Sequence, residues 1–136
     1  MAFVGGDVLE IACTHPSVGT IRFDVKANES NTGDKGGIRT NDDANSVTGS
    51  GKNMRQLNRV RWSWEGPVAL DFLSNVELDA INKMAASPEE GVWTFSLIAG
   101  VIYKGKGSPV GEHNFDTNNA QSTLKLAGGG ELVPIK

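Results

Sequence analysis

Hydrophobic and polar positions alternate along much of this chain with a period of two. From Gly19 to Lys26, Ile21, Phe23 and Val25 alternate with Arg22, Asp24 and Lys26, which predicts a strand with one buried and one wet face. Asp7–Cys13 reads as its partner strand, joined to it through a turn at His15, Pro16 and Gly19. The alternation runs longest from Val60 to Phe72. Val60, Trp62, Trp64, Val68, Leu70 and Phe72 hold even positions there, while Arg59, Arg61, Ser63, Glu65, Ala69 and Asp71 hold odd ones. Parity survives Gly66 and Pro67, so this segment is either a hairpin at Gly-Pro or one long strand cranked there. On the second reading Pro67, which has no N–H, belongs at a bulge or beside an unpaired edge. Trp93, Phe95 and Leu97 alternate with Thr94 and Ser96, Gly100 turns the chain, and Val101–Lys104 returns as a hairpin partner. After a G-K-G-S-P-V-G loop from Gly105, Ser122, Leu124 and Leu126 mark another strand. Gly128–Gly130 separate it from a short apolar tail, Leu132–Ile135.

A single helix is predicted over about residues 75–86, where the period lengthens. Leu78, Ile81 and Ala85, with Met84 beside them, form one apolar stripe. Ser74 and Glu77 have the spacing of a capping box, and S-P-E-E-G from Ser87 stops the helix. Asn28–Asn53 holds only Ile38 and Val47 as large aliphatic residues among Asn, Asp, Gly, Ser and Thr. It reads as a long polar loop of the kind that is functional or orders against a partner. The tally is about seven strands and one helix without repeat or linker, which predicts a single mainly β domain spanning residues 1–136.

The chain has 136 residues, 17 of them glycine, and a net charge of −3. Its length excludes a (β/α)₈ barrel, which needs roughly 250 residues. The glycine content indicates many turns, and the mild acidity leaves no global basic surface to retain a polyanion. Cys13 is the sole cysteine, so an intrachain disulfide is excluded and no oxidising compartment is implied. The first residues lack the basic and apolar regions of a signal peptide, and no apolar stretch reaches membrane-spanning length.

Catalytic and ligand motifs are approached but not completed. The S-V-T-G-S-G-K-N string around Lys52 has Ser46 where a phosphate loop needs Gly, and Asn53 where it needs Ser or Thr. The loop from Gly105 misplaces its third glycine for a dinucleotide fingerprint. Asn41, Asp42, Asp43 and Asn45 are oxygen-rich, but read as a calcium loop they place Ser46 at the bend and Lys52 where the bidentate Glu belongs. Cys13, His15 and His113 are too few for a closed zinc site, and read as a buried thiol and two surface histidines. No catalytic residue, metal ligand or cofactor site is therefore expected, and the chain is read as non-enzymatic. Residues 51–66 carry four cations against Glu65 alone, a local +3.

Taken in order, several segments resemble the small bacteriophage tail tube proteins. They are G-G-I-R-T-N-D-D-A-N-S-V from Gly36, N-R-V-R-W-S-W-E from Asn58, and the helix ending A-A-S-P before G-V-W-T-F-S. The series continues with G-S-P-V-G from Gly107, D-T-N-N-A from Asp116 and T-L-K-L-A-G-G-G from Thr123, and so covers most of the chain. The resemblance implies a β-barrel or sandwich-like protomer with one flanking helix. Such protomers form hexameric rings that stack into the tube through which DNA leaves the virion, a passage that is transient and non-specific. It further implies a place in the virion tail after assembly in the host bacterial cytoplasm, without membrane insertion of this chain. The implied partners are other copies and other tail proteins: sheath, tape measure, baseplate or tail tip, and terminator.

On that reading Arg39, Asn41, Asp42, Asp43 and Asn45 lie in a loop that contacts a neighbouring subunit or ring. Arg59, Arg61, Glu65 and Asp71 form a lumen-lining or subunit-pairing face. A positive patch at Arg59 and Arg61 departs from a uniformly acidic channel. Either the two arginines pair with carboxylates of an adjacent subunit, or that part of the strand faces outward. Two other functions fit the same residues: a carbohydrate-binding β-sandwich that stacks sugars on Trp62 and Trp64, and the inner tube of a phage-derived injection or secretion machine.

Overall fold

A computed structural model describes residues 3–41 and 45–135. The fold is mainly β with one helix and a large antiparallel sheet. The strands are β1 (Val8–His15), β2 (Gly19–Asp24), β3 (Thr32–Asp34), β4 (Gly37–Thr40), β5 (Ser46–Val47), β6 (Asn53–Met54), β7 (Leu57–Val60) and β8 (Trp62–Ala69). The helix α1 (Val76–Ala86) follows, then β9 (Gly91–Leu97), β10 (Ile102–Pro109), β11 (Phe115–Asp116), β12 (Gln121–Gly128) and β13 (Val133–Pro134).

The main sheet runs β2-β1-β9-β10-β12-β8-β3, with β11 on β12 and β13 on β10. Strand β10 joins its two halves: Ile102–Gly107 pair with β9, whereas Ser108 and Pro109 pair with β12. The sheet folds over on itself, and an isolated bridge between Val25 and Val68 brings the chain after β2 back to β8. Between the halves lies one core. Phe95 of β9 stacks on Trp64 of β8 with ring centroids 4.2 Å apart and meets Trp62 edge-on at 6.0 Å, while Phe23 stacks on Trp93.

Alternation holds along β8. Trp62, Trp64, Gly66, Val68 and Leu70 are buried, and Arg61, Ser63, Glu65 and Asp71 are exposed. Pairing with β12 runs without a break from Trp62↔Gly128 to Ala69↔Gln121, so the segment is one strand and not a hairpin. Strand β3 covers only Ser63–Glu65 of the other edge, so Pro67 lies beyond the end of β3, where no β3 carbonyl is left without a donor. Gly66 occupies a core position because Asn31 sits against it. The Asn31 Oδ1 accepts the Trp64 indole N–H at 3.3 Å and would lie 1.8 Å from a β-carbon on Gly66.

Four expectations are corrected. The G-K-G-S-P-V-G segment is a strand through Pro109, with Gly105 and Gly107 facing inward and Lys104 and Lys106 outward. Glycine is required there by close approach: a β-carbon on Gly107 would lie 2.4 Å from the Ala127 carbonyl and 2.7 Å from the Trp62 ring. The capping box does not form, because Asn75 enters α1 in a left-handed conformation at φ 54° without a side-chain cap. Ser74 Oγ donates instead to Asp71 Oδ2, and Glu77 accepts the Asp71 N–H. The buried face of α1 is Leu78, Ala80, Ile81 and Met84, and Ala85 is exposed. Met84 wins the place in the stripe by reaching the core, where its Sδ lies 3.6 Å from Cys13 Sγ. The expected polar loop, Asn28–Asn53, also contains strands: β3 joins the main sheet, and β4 and β5 belong to a separate hairpin.

Gly107→Ala is expected to destabilise the fold by about 2–3 kcal/mol, as overpacking against rigid backbone does. Ala120, at φ 50°, is strained. Ala120→Gly relieves about 1–2 kcal/mol of left-handed strain, partly offset by the ~0.5–1 kcal/mol entropic cost of glycine. Urea denaturation of both variants checks the opposite signs.

Candidate functional site

The chain leaves the core at Gly36 and returns to it at Trp62. Gly36 adopts φ +74°, and a β-carbon on it would lie 2.6 Å from the Trp62 backbone nitrogen and 2.7 Å from the Val60 carbonyl. Between these points runs a two-stranded arm. At its base β4 pairs with β7 from Gly37↔Val60 to Thr40↔Leu57. The ladder continues through Asn41 N–H to the Gln56 carbonyl at 2.8 Å, and Asn45 Oδ1 accepts the Gln56 N–H at 2.8 Å. Farther out β5 pairs with β6. Thr48 closes the tip, where its Oγ1 accepts the Lys52 N–H and its own N–H donates to the Lys52 carbonyl.

No described residue of the arm is buried. Ile38, Val47, Met54 and Leu57 are 59, 66, 51 and 58% exposed. Residues opposite each other in an antiparallel ladder share a face. Ile38 with Arg59, and Thr40 with Leu57, therefore stand on the same side of the arm. That side is apolar and basic, and Arg55 donates to Thr40 Oγ1 beside it. An isolated two-stranded hairpin is marginal in water, so this one depends on its base. There Arg39 makes a two-pronged ion pair with Asp34, and Asp34 Oδ1 also accepts the Gly36 N–H at 3.0 Å. Glu131 adds a bridge to Gly36 and an ion pair with Lys35 at 3.5 Å.

The residues expected in an inter-subunit loop divide accordingly. Arg39, Asn41 and Asn45 are structural parts of the arm, while Asp42 and Asp43 lie outside the described residues. Of the face expected from Arg59, Arg61, Glu65 and Asp71, the first two line a shallow cleft at the arm base with Gly129, Gly130 and Glu131. Neither arginine has an ion-pair partner among the described residues. Glu65 shares the odd face of β8 but pairs with Lys125 at 3.9 Å. Asp71 belongs elsewhere, since its carboxylate takes the Leu73 N–H and the Ser74 hydroxyl in the turn before α1. What sequence reading missed is the pairing of residues 37–40 with 57–60. Short polar strands carry almost no hydrophobic period, and the ladder is visible only once both sides are in place.

The remaining candidates resolve into structure. Trp62 is 0% and Trp64 6% exposed, and Trp64 is stacked against Phe95. Neither ring offers an open face to a sugar, which removes the residues on which carbohydrate binding was to rest. His15 is buried, not on the surface. Its Nδ1 accepts the Ser17 N–H, so its Nε2 carries the hydrogen donated to the Glu89 carbonyl at 3.2 Å. Burial pushes the Cys13 thiol up to about 12. The near phosphate loop is the exposed arm tip, and the strand β6 follows it where a helix would be needed. Among the described residues no group of three His, Cys, Asp or Glu is placed to hold a metal. No protein-family model matches this chain, and no curated protein matches it either.

The Arg39 guanidinium, followed by the Gly36 N–H, holds the Asp34 carboxyl below its ordinary value of 3.8. A carboxylate depressed in the folded state contributes stability above its unfolded value, and that contribution is lost as pH falls through the folded value. Amide protection in the β4–β7 ladder, relative to the intrinsic exchange rate at each pH, is expected to fall on acidification below pH 3.8 ahead of protection in β8 and β12. Asp34→Asn removes this pH dependence. Cys13 in the folded chain is expected to resist alkylation at pH 8 and to react on unfolding.

Proposed function

We propose that this chain is a structural, non-enzymatic protein that assembles into stacked, hexameric rings forming a phage tail tube, a channel for DNA ejection. The observation that carries the reading is the arm. It is some two dozen residues long, none of its described residues is buried, and it holds four large apolar side chains half or more in water. Burying such side chains contributes about 1.5–3 kcal/mol each, and the arm can gain this only against another molecule. The ordered resemblance to tail tube proteins names that molecule as further copies of the same chain. Arg59 and Arg61, without acidic partners among the described residues, act on this reading as subunit-pairing residues that take carboxylates from a neighbour. The net charge of −3 suits a conduit that must release a polyanion. The other tail proteins, and a place in the virion tail, follow from the same resemblance.

Purified protein viewed by negative-stain electron microscopy is expected to form rings or tubes with a central hole. A species that remains monomeric at high concentration, by imaging and by light scattering, overturns the proposal. Ile38→Ser with Leu57→Ser is expected to shift monomer stability by less than about 0.5 kcal/mol per site, since both are exposed, while abolishing tubes.

A further inference from the structure

A second exposed apolar group lies where the chain leaves β8 for α1. The rings of Phe72 and Phe115 touch, with centroids 5.8 Å apart, yet the two residues remain 40 and 53% exposed. Leu73, next in the chain, is 99% exposed, and Val76 opens α1 at 53%. Leu73 is held there by an ordered turn: Asp71 Oδ1 accepts its N–H at 2.9 Å, and the Asn75 N–H donates to the Asp71 carbonyl at 2.7 Å. Large apolar side chains left exposed together in this way, beside polar residues, mark an interaction surface.

Its rim is acidic. Asp71, Glu77, Glu112 and Asp116 lie within the two segments that build the patch, and Asp79 is paired with Lys83 at 3.0 Å. Neither 68–82 nor 107–124 contains a lysine or arginine, and Lys26 reaches the second segment by donating to the Asn119 carbonyl. The arm has the opposite character. Ile38 and Leu57 share a face with Arg59, Lys52 and Arg55 lie along its outer length, and residues 37–60 carry four cations against Asp42 and Asp43, a net +2.

We infer that the patch of Phe72, Leu73, Val76 and Phe115 receives the arm of a second copy of this chain. Ile38 and Leu57 cover its apolar centre, and Arg55 and Arg59 meet Glu77 and Glu112. This names the partner surface for the assembly proposed above and rests on that reading. Because the arm and the patch are different surfaces of one protomer, the contact is heterologous and passes from copy to copy, as rings and stacks require. Charge pairing also fixes the orientation of docking and disfavours arm-to-arm contact.

The test is a charge exchange followed by sedimentation velocity and electron microscopy, with thermal melts to confirm that each variant is folded. Arg55→Glu with Arg59→Glu, and separately Glu77→Lys with Glu112→Lys, are each expected to weaken self-association about tenfold or more. Combining all four restores it. Leu73→Ser, which alters no charge and no buried contact, is expected to weaken association to a similar degree. Wild-type association in either reversal pair or in Leu73→Ser overturns the inference while leaving assembly standing, and so does a fourfold variant as impaired as its parents. A wild-type chain that never associates overturns the assembly reading itself.

Discussion

Trp62 is enclosed because Gly105, Gly107 and Gly128 leave its indole the volume that three β-carbons would otherwise fill. Its Nε1 donates to the Lys106 carbonyl at 3.0 Å, so burial of the ring strands no polar atom. The same exchange of large for small recurs across the ladders, where Trp93 faces Gly105, Trp62 faces Gly128 and Trp64 faces Gly33. Interiors are close-packed, so a volume added on one strand must be given up on its neighbour. Here three indoles occupy what glycine leaves open, and the two halves of the sheet meet over them. The passage of β10 from one half to the other, the bridge that returns to β8 and the seat of α1 against Cys13 all surround this cluster.

The arm is tied to the same residue. Its return strand runs through Arg61 directly into Trp62, and Gly36, where it departs, is packed against the Trp62 backbone. The buried Trp62 thus anchors the base from which the exposed hairpin leaves. The ion pair of Arg39 with Asp34 and the contacts of Glu131 add local order at the base, but exposed pairs of this kind contribute little, up to about 1 kcal/mol each. Stability is therefore uneven: high where tryptophan meets glycine, low where two polar strands pair only with each other. Under the proposed assembly the arm belongs at the low end, its ordering completed by a neighbouring copy and not by its own core.

The strands of the core were legible because a half-buried strand must alternate. Parity along β8 carried through Gly66 and Pro67 without error, and the pairing of β1 with β2 and of β9 with β10 followed from short turns. The errors have a common source. Gly105–Pro109 has loop composition, and only the presence of Trp62 on another strand explains why it is extended. Ser74 and Glu77 have capping spacing, but Asp71 competes for both, and Asn75 takes the left-handed turn that asparagine tolerates. His15 lies past the expected strand end at Cys13 and precedes a proline, which reads as surface, yet it closes β1 and two backbone groups satisfy its ring in the interior.

The candidate assembly surfaces show the same division. The amino-acid order by itself determined which residues were available: a polar, glycine-rich, locally basic stretch and an acidic approach to the helix. It also determined the parity of the long strands and the lack of a complete catalytic motif, since both depend on neighbours in sequence. Tertiary structure alone decided that Ile38 and Leu57 share a face with Arg59, that Phe72 meets Phe115 across more than forty residues, and that the tryptophans are walled in. Such facts depend on which strand lies beside which. A ladder registers residues far apart in the chain, and no local pattern carries that register.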